Sequence, residues 1–192
     1  MKKTNLILSI LVVFAFIILS CNGAKKQETQ EVNSEAVTED SGQASIKAVE
    51  GADPNALQVA KSLDDFTTLV AAIEAAGVQN SLVNVGPLTV FAPVNAAFDK
   101  LPEGTVETLL KPENKSQLAF ILTNHVAPAN YPDTQLAKEA KKGRKLYMAS
   151  GKYLVVENKE DGIYVGGTKI LKTVKVSNGW IHVIDNVLVP AE

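Results

Sequence analysis

The sequence predicts an α+β domain, and three observations carry that prediction. Large apolar residues recur at helical spacing in the first half of the folded body, as in Phe66, Leu69, Val70, Ile73 and Ala76. From Leu146 onward the period shortens to that of strands separated by glycine turns. The stretch Asn178 to Pro190, NGWIHVIDNVLVP, is apolar on both strand faces and therefore needs cover on both sides. Helices followed by a meander segregate into separate layers.

The chain of 192 residues divides before the domain begins. Lys2 and Lys3 precede an apolar run from Leu6 to Leu19 that ends at Ser20-Cys21. The run is shorter than the ~20 residues that span a bilayer, so residues 1–20 read as a cleaved export signal. This segment resembles a bacterial lipoprotein signal. The resemblance implies that Cys21 becomes the first mature residue and carries the lipid that holds the protein on a membrane, each buried methylene adding ~0.8 kcal/mol. An ordinary signal peptide with an incidental cysteine is the alternative. Cys21 is the only cysteine, so no intramolecular disulfide can form.

Residues 21–52 hold no aromatic side chain and many Glu, Gln, Ser, Thr and Ala. Such a composition cannot bury a core. It reads as a flexible membrane tether whose root-mean-square span is roughly 30 Å. The remaining stretch, 53–192, is about 140 residues, the size of a single domain. With 19 Lys and Arg against 21 Asp and Glu, the charge balance offers no basis for nucleic-acid binding.

Within the body, Leu57 and Val59 open a short helical lead-in. Asp64 or Asp65 is placed to cap the helix through Ala76, and Gly77 to end it in a left-handed conformation. Leu88 to Phe91 reads as a buried strand broken by Ala92-Pro93, after which Asn95 caps the turn carrying Phe98. Thr105 is placed to cap a helix through Leu110, and Pro112 to open the next, which carries Leu118, Phe120, Ile121 and Leu122. Lys138, Lys141, Lys142, Arg144 and Lys145 surround Gly143 in what reads as a solvated basic loop. Strands follow at Leu146 to Ala149, Tyr153 to Glu157, Ile163 to Val165 and Lys169 to Val176. Ser150-Gly151, Asp161-Gly162, Gly166-Gly167 and Asn178-Gly179 are the expected turns.

Two segments, Leu88-Thr-Val-Phe-Ala-Pro-Val-Asn-Ala-Ala-Phe98 and Asn178 to Pro190, together resemble the paired signature segments of the fasciclin (FAS1) domain family. The similarity continues through Leu101 to Leu110 and Ile121 to Pro128. It implies a wedge or sandwich of two β-sheets with several short helices clustered around it, serving as an extracellular adhesion or recognition module without cofactor. It also marks Phe91, Pro93, Asn95, Phe98, Asn178, Gly179, His182, Asp185 and Pro190 as structural signature residues. Where the family often has Tyr-His, this chain has Asn124-His125. Where animal adhesion members carry an Asp-Ile pair linked to receptor binding, it has Thr173-Val174, so integrin recognition does not carry over.

Asn124, His125 and Pro128, with the basic Lys141, Lys142, Arg144 and Lys145, are the candidate binding residues. The expected partners are the membrane, through Cys21, and a cell-surface, matrix or envelope protein or polysaccharide. A small apolar or carbohydrate ligand held between sheets and helices, facing the periplasm, is the second reading. A hydrolase is the third reading and catalysis is not expected, because the sequence offers no good pair of nucleophile and oriented base, and His182 and Asp185 stand an odd number apart on a strand. A metal site is not expected either, because the two histidines lack close-spaced ligand partners.

Overall fold

Gly77 ends its helix as its position in the sequence requires, with φ 68° and its N–H bonded back to Glu74 and Ile73. The computed structural model describes residues 53–83 and 86–190. The export signal, Cys21 and the tether up to residue 52 lie outside the described residues. Helices α1 (Ala56–Lys61), α2 (Thr67–Ala76) and α3 (Gln79–Val83) lead into β1 (Leu88–Pro93). Then come α4 (Asn95–Phe98), α5 (Thr105–Leu109), α6 (Lys115–Thr123), β2 (Val126–Ala127) and α7 (Asp133–Lys141). Strands β3 (Lys145–Tyr147), β4 (Tyr153–Lys159), β5 (Gly162–Val165), β6 (Thr168–Val176) and β7 (Gly179–Ile184) complete the α+β arrangement.

The strands are ordered β2-β1-β7-β6-β5-β4-β3. Where two sheets were expected, one hydrogen-bonded order runs through all seven. It curls until its ends meet, for the Ala149 N–H beyond β3 donates to the Val126 carbonyl of β2 at 2.7 Å. A register irregularity between Ile170 and Lys172 interrupts β6 and leaves Leu171 exposed. Such a bulge sharpens local bend and twist.

At the centre β1 runs parallel to β7, with Val90 opposite Ile181 and Phe91 opposite His182. All six residues of β1 are buried, as a parallel strand covered on both faces requires. Alternation then separates two cores. Val90, Ala92 and Ile181 join Leu69, Ile73, Leu118 and Leu122 beneath the helices. Phe91 and Ile184 join Leu136, Leu146, Met148 and Val165 inside the curl. Burying each of these large side chains is worth ~1.5–3 kcal/mol.

Several local expectations are corrected. Strand β7 stops at Ile184, so Asn178 to Pro190 is not one strand; Val187 and Leu188 are buried from an irregular segment. The β6–β7 turn is Ser177-Asn178, since Val176 already pairs with Gly179. The β4–β5 turn is likewise shifted to Glu160-Asp161, because Lys159 pairs with Gly162. Pro93 belongs to the ladder, opposite Ile184, because its missing N–H is not needed there.

Neither Asp64 nor Asp65 caps α2, and a single 3₁₀ turn, Asp64–Phe66, precedes it. The cap comes from elsewhere. Asn95 makes no cap on α4 but accepts from the Thr68 N–H at 3.1 Å and donates to the Asp64 carbonyl at 2.8 Å. Thr105 begins α5 without a capping bond, behind left-handed Gly104. The basic stretch is not a loop. It is the last turn of α7 and the start of β3, and cations there complement the carbonyl end of the helix.

Candidate functional site

The turn after α6 buries two polar residues side by side, and both reach the chain where it leaves β7. The His125 Nδ1 lies 2.8 Å from the Ile121 carbonyl, and Nε2 accepts from the Leu188 N–H at 2.9 Å. A carbonyl can only accept, so the proton sits on Nδ1 and the ring is neutral. Burial pushes its pKa down to about 4, against a smaller opposing pull from the Ile121 carbonyl. Asn124, also fully buried, donates to the Leu188 carbonyl at 2.9 Å and accepts from the Ser150 hydroxyl at 2.9 Å. The peptide groups of Leu188 are thus gripped at both N–H and C=O by consecutive residues. Asn124 and His125, expected to be available for binding, are buried latches that hold Leu188. Pro128, three residues on, is exposed and separate from the basic cluster in sequence and element.

His182 is the second buried histidine, stacked on Phe91 with ring centroids 5.3 Å apart. Its Nε2 lies 2.7 Å from the Tyr131 carbonyl and its Nδ1 lies 2.9 Å from the Thr173 hydroxyl. That hydroxyl is also 2.6 Å from Asp133 at the start of α7. Burial lowers the His182 pKa, opposed by the Tyr131 carbonyl and by the charge of Asp133. The carboxylate near this ring is therefore Asp133, 3.5 Å away, and not Asp185. Asp185 lies just beyond β7, where Lys100 Nζ meets its backbone carbonyl at 2.5 Å. Thr173 lines an open cleft with Asp133 and Lys172. Among the described residues, no three metal-ligating side chains gather in one place.

Lys141, Lys142, Arg144 and Lys145 come together at the end of α7 and are all exposed. Arg144 is 3.6 Å from the mostly buried Glu139, which tethers one of the four. Because Leu146 points inward, Lys145 and Tyr147 point outward, as do Tyr153 and Val155 on β4. Tyr147 and Tyr153 pair across the strands with ring centroids 5.3 Å apart and remain 48% and 62% exposed. Lys145 thus borders an aromatic surface that sequence reading missed. Strand alternation on either side of the Ser150-Gly151 turn was the available signal.

A third feature is an apolar pocket of about 150 Å³ between α5, α6 and the segment after β7. Phe98, a signature residue, and His125 both line it.

The model of the Fasciclin domain matches residues 64–190. The chain belongs to the fasciclin domain family. A Synechocystis relative, Protein sll1483, is 43% identical over 135 residues, covering 70% of this chain and 72% of its own length. Immunogenic protein MPB70 of Mycobacterium bovis is 33% identical over 167 residues, covering 81% and 78%. The solved FAS1 domain pair from the insect cell adhesion molecule fasciclin I superposes with a TM-score of 0.64 at 20% identity, over 71% of this chain and 51% of the other. This chain spans about half of that solved chain, and the likeness establishes the fold.

Within this fasciclin domain the signature residues act at junctions. Asn178 accepts from the Ala56 N–H at 3.0 Å and donates to the Leu82 carbonyl at 2.8 Å, while its own carbonyl accepts from Leu88 N–H. It thereby ties α1, α3 and β1 to the β6–β7 turn. At Gly179 a Cβ would fall 1.8 Å from the Leu88 carbonyl oxygen, so only glycine lets β7 enter beside β1. Pro190 lies outside any strand and is the last described residue.

Proposed function

We propose that this fasciclin-domain protein is a non-enzymatic, lipid-anchored recognition module that adheres to an anionic polysaccharide of the cell surface, matrix or envelope. The observation that carries the reading is the outward face of β3 and β4, where Tyr147, Tyr153 and Val155 share the strand face of Lys145, with Lys141 and Lys142 exposed at the end of the preceding helix α7. Exposed aromatic rings offer flat contact area at little conformational cost, and clustered cations draw an anionic partner. Family membership supports the same reading, as does the likeness in fold to fasciclin I, an insect cell adhesion molecule. The expected lipid on Cys21 would let many copies engage one surface, raising weak single contacts by avidity.

Protease shaving of intact cells, with lysed cells as control, tests the outward placement; protection until lysis would overturn adhesion to another surface. Attachment of the same cells to an immobilised anionic polysaccharide, with wild-type protein or the Tyr147→Ser/Tyr153→Ser double variant, tests the face itself. The variant should attach at least tenfold less, while its residual attachment keeps the salt sensitivity that the unchanged cations supply. Undiminished attachment would remove this face from the account.

A further inference from the structure

The pocket between α5 and α6 carries an inference that does not depend on adhesion. Its walls are hydrocarbon: Leu101, Val106, Leu109, Ile121 and Val187 face it. Polar side chains enter its lining at Thr105, Gln117 and His125. Both His125 nitrogens are engaged by Ile121 and Leu188, so the ring presents only carbon to a guest. Thr105 is half-buried and Gln117 exposed, which places neutral hydrogen-bonding groups at the rim.

Volume sets the size of the guest. A cavity of about 150 Å³ lined by such side chains is hospitable to a benzene-sized group and poor for water. It is well below the ~300–1,000 Å³ that encloses a drug-sized ligand, so it takes one end of a molecule. Charge sets the head. The pocket shares Phe98, Leu101 and Val106 with an open cleft that also holds Asp99, Glu103 and Glu107. A carboxylate or phosphate emerging there would meet three carboxylates and no lysine or arginine of either lining.

We infer that this pocket binds the hydrocarbon end of an amphiphile whose head is uncharged, such as an alkyl or aryl alcohol, with the hydroxyl left at the Thr105 and Gln117 rim. A sugar ring is excluded from the interior, because no free polar group there could replace its lost water.

The test is methyl NMR on the full chain with ¹³C-labelled Ile, Leu and Val, held in phospholipid nanodiscs, with each ligand brought to a fixed aqueous concentration by dialysis because the bilayer also takes up the alcohol. Octan-1-ol should produce saturable shifts at Ile121, Leu109 and Val187 that leave Leu146 and Ile184 of the other core unmoved. Octanoate at neutral pH should bind at least tenfold more weakly. Val106→Phe, or Leu101→Phe if the first variant does not fold, should fill the pocket and abolish the shifts while the Leu146 and Ile184 signals certify the fold. No saturable shift with octan-1-ol, shifts that survive the filled pocket, or equal binding of octanoate would each overturn the assignment.

Discussion

His125 and Leu188, 63 residues apart, are joined by a bond in which the imidazole Nε2 is the acceptor and the backbone N–H the donor. Protonating Nε2 would set two N–H groups against each other, so the bond exists only with a neutral ring. The folded pKa of about 4 lies below the ordinary 6.5. Between those values the unfolded chain binds the proton that the native chain refuses.

Stability should therefore be fully present above pH 6.5 and fall by about 3 kcal/mol as pH drops to about 4, from this residue alone. Urea unfolding across that range measures it. His125→Gln should flatten the His125 share of the slope, leaving a smaller dependence of the same sign from His182, whose pKa is also lowered. An unchanged slope in the variant would assign the pH dependence elsewhere.

Asp133 raises the proton affinity of His182 while burial lowers it. Asp133→Asn should then move the His182 titration further down, and NMR titration of the ring reads this directly. An upward move would mean that the carboxylate does not act on the ring through the 3.5 Å approach and the Thr173 hydroxyl.

Asn95 caps a helix to which it does not belong. Asn95→Ala should cost about 1–2 kcal/mol through the lost acceptor for Thr68 and the lost bond to Asp64. Asn95→Asp keeps the acceptor and should recover part of that loss. Chemical denaturation of the two variants separates cap from donor, and equal losses would deny the cap.

Gly179→Ala should fail to accumulate folded protein, because the new methyl would overlap the Leu88 carbonyl at 1.8 Å. Gly143→Ala is the control. Its φ of 64° strains an alanine by about 1–2 kcal/mol, but nothing lies within 4 Å of the added carbon. Soluble yield and the unfolding midpoint distinguish a steric veto from backbone strain.

Much of the fold was legible because it is local. The Gly77 stop, the Gly166-Gly167 turn at φ 57° and 79°, and the alternation from Tyr153 to Val156 in β4 depend on residues a few positions apart. The paired signature segments marked the family, although the turn before β7 lay one residue earlier than its Asn-Gly pattern suggests. Helix α7 went unseen because its apolar stripe is thin: Leu136 is its one fully buried large apolar residue.

The candidate sites were legible as residue types but not as surroundings. Asn124 and His125 looked available, yet both are turned inward to hold Leu188, 64 and 63 residues away. The basic cluster looked bare, yet β3–β4 pairing brings Tyr147 and Tyr153 beside Lys145.

By itself the sequence determined the α+β class, the helix stop at Gly77 and the glycine turns, since φ preference and periodicity act within a few residues of backbone. Tertiary structure alone decided that β7 lies parallel to β1, that Asn95 caps α2, and that Asp133 reaches His182 through Thr173. Those contacts exist only once the hydrophobic burial of two separate cores has brought distant segments together, and no local preference encodes which polar group will then lie within bonding distance.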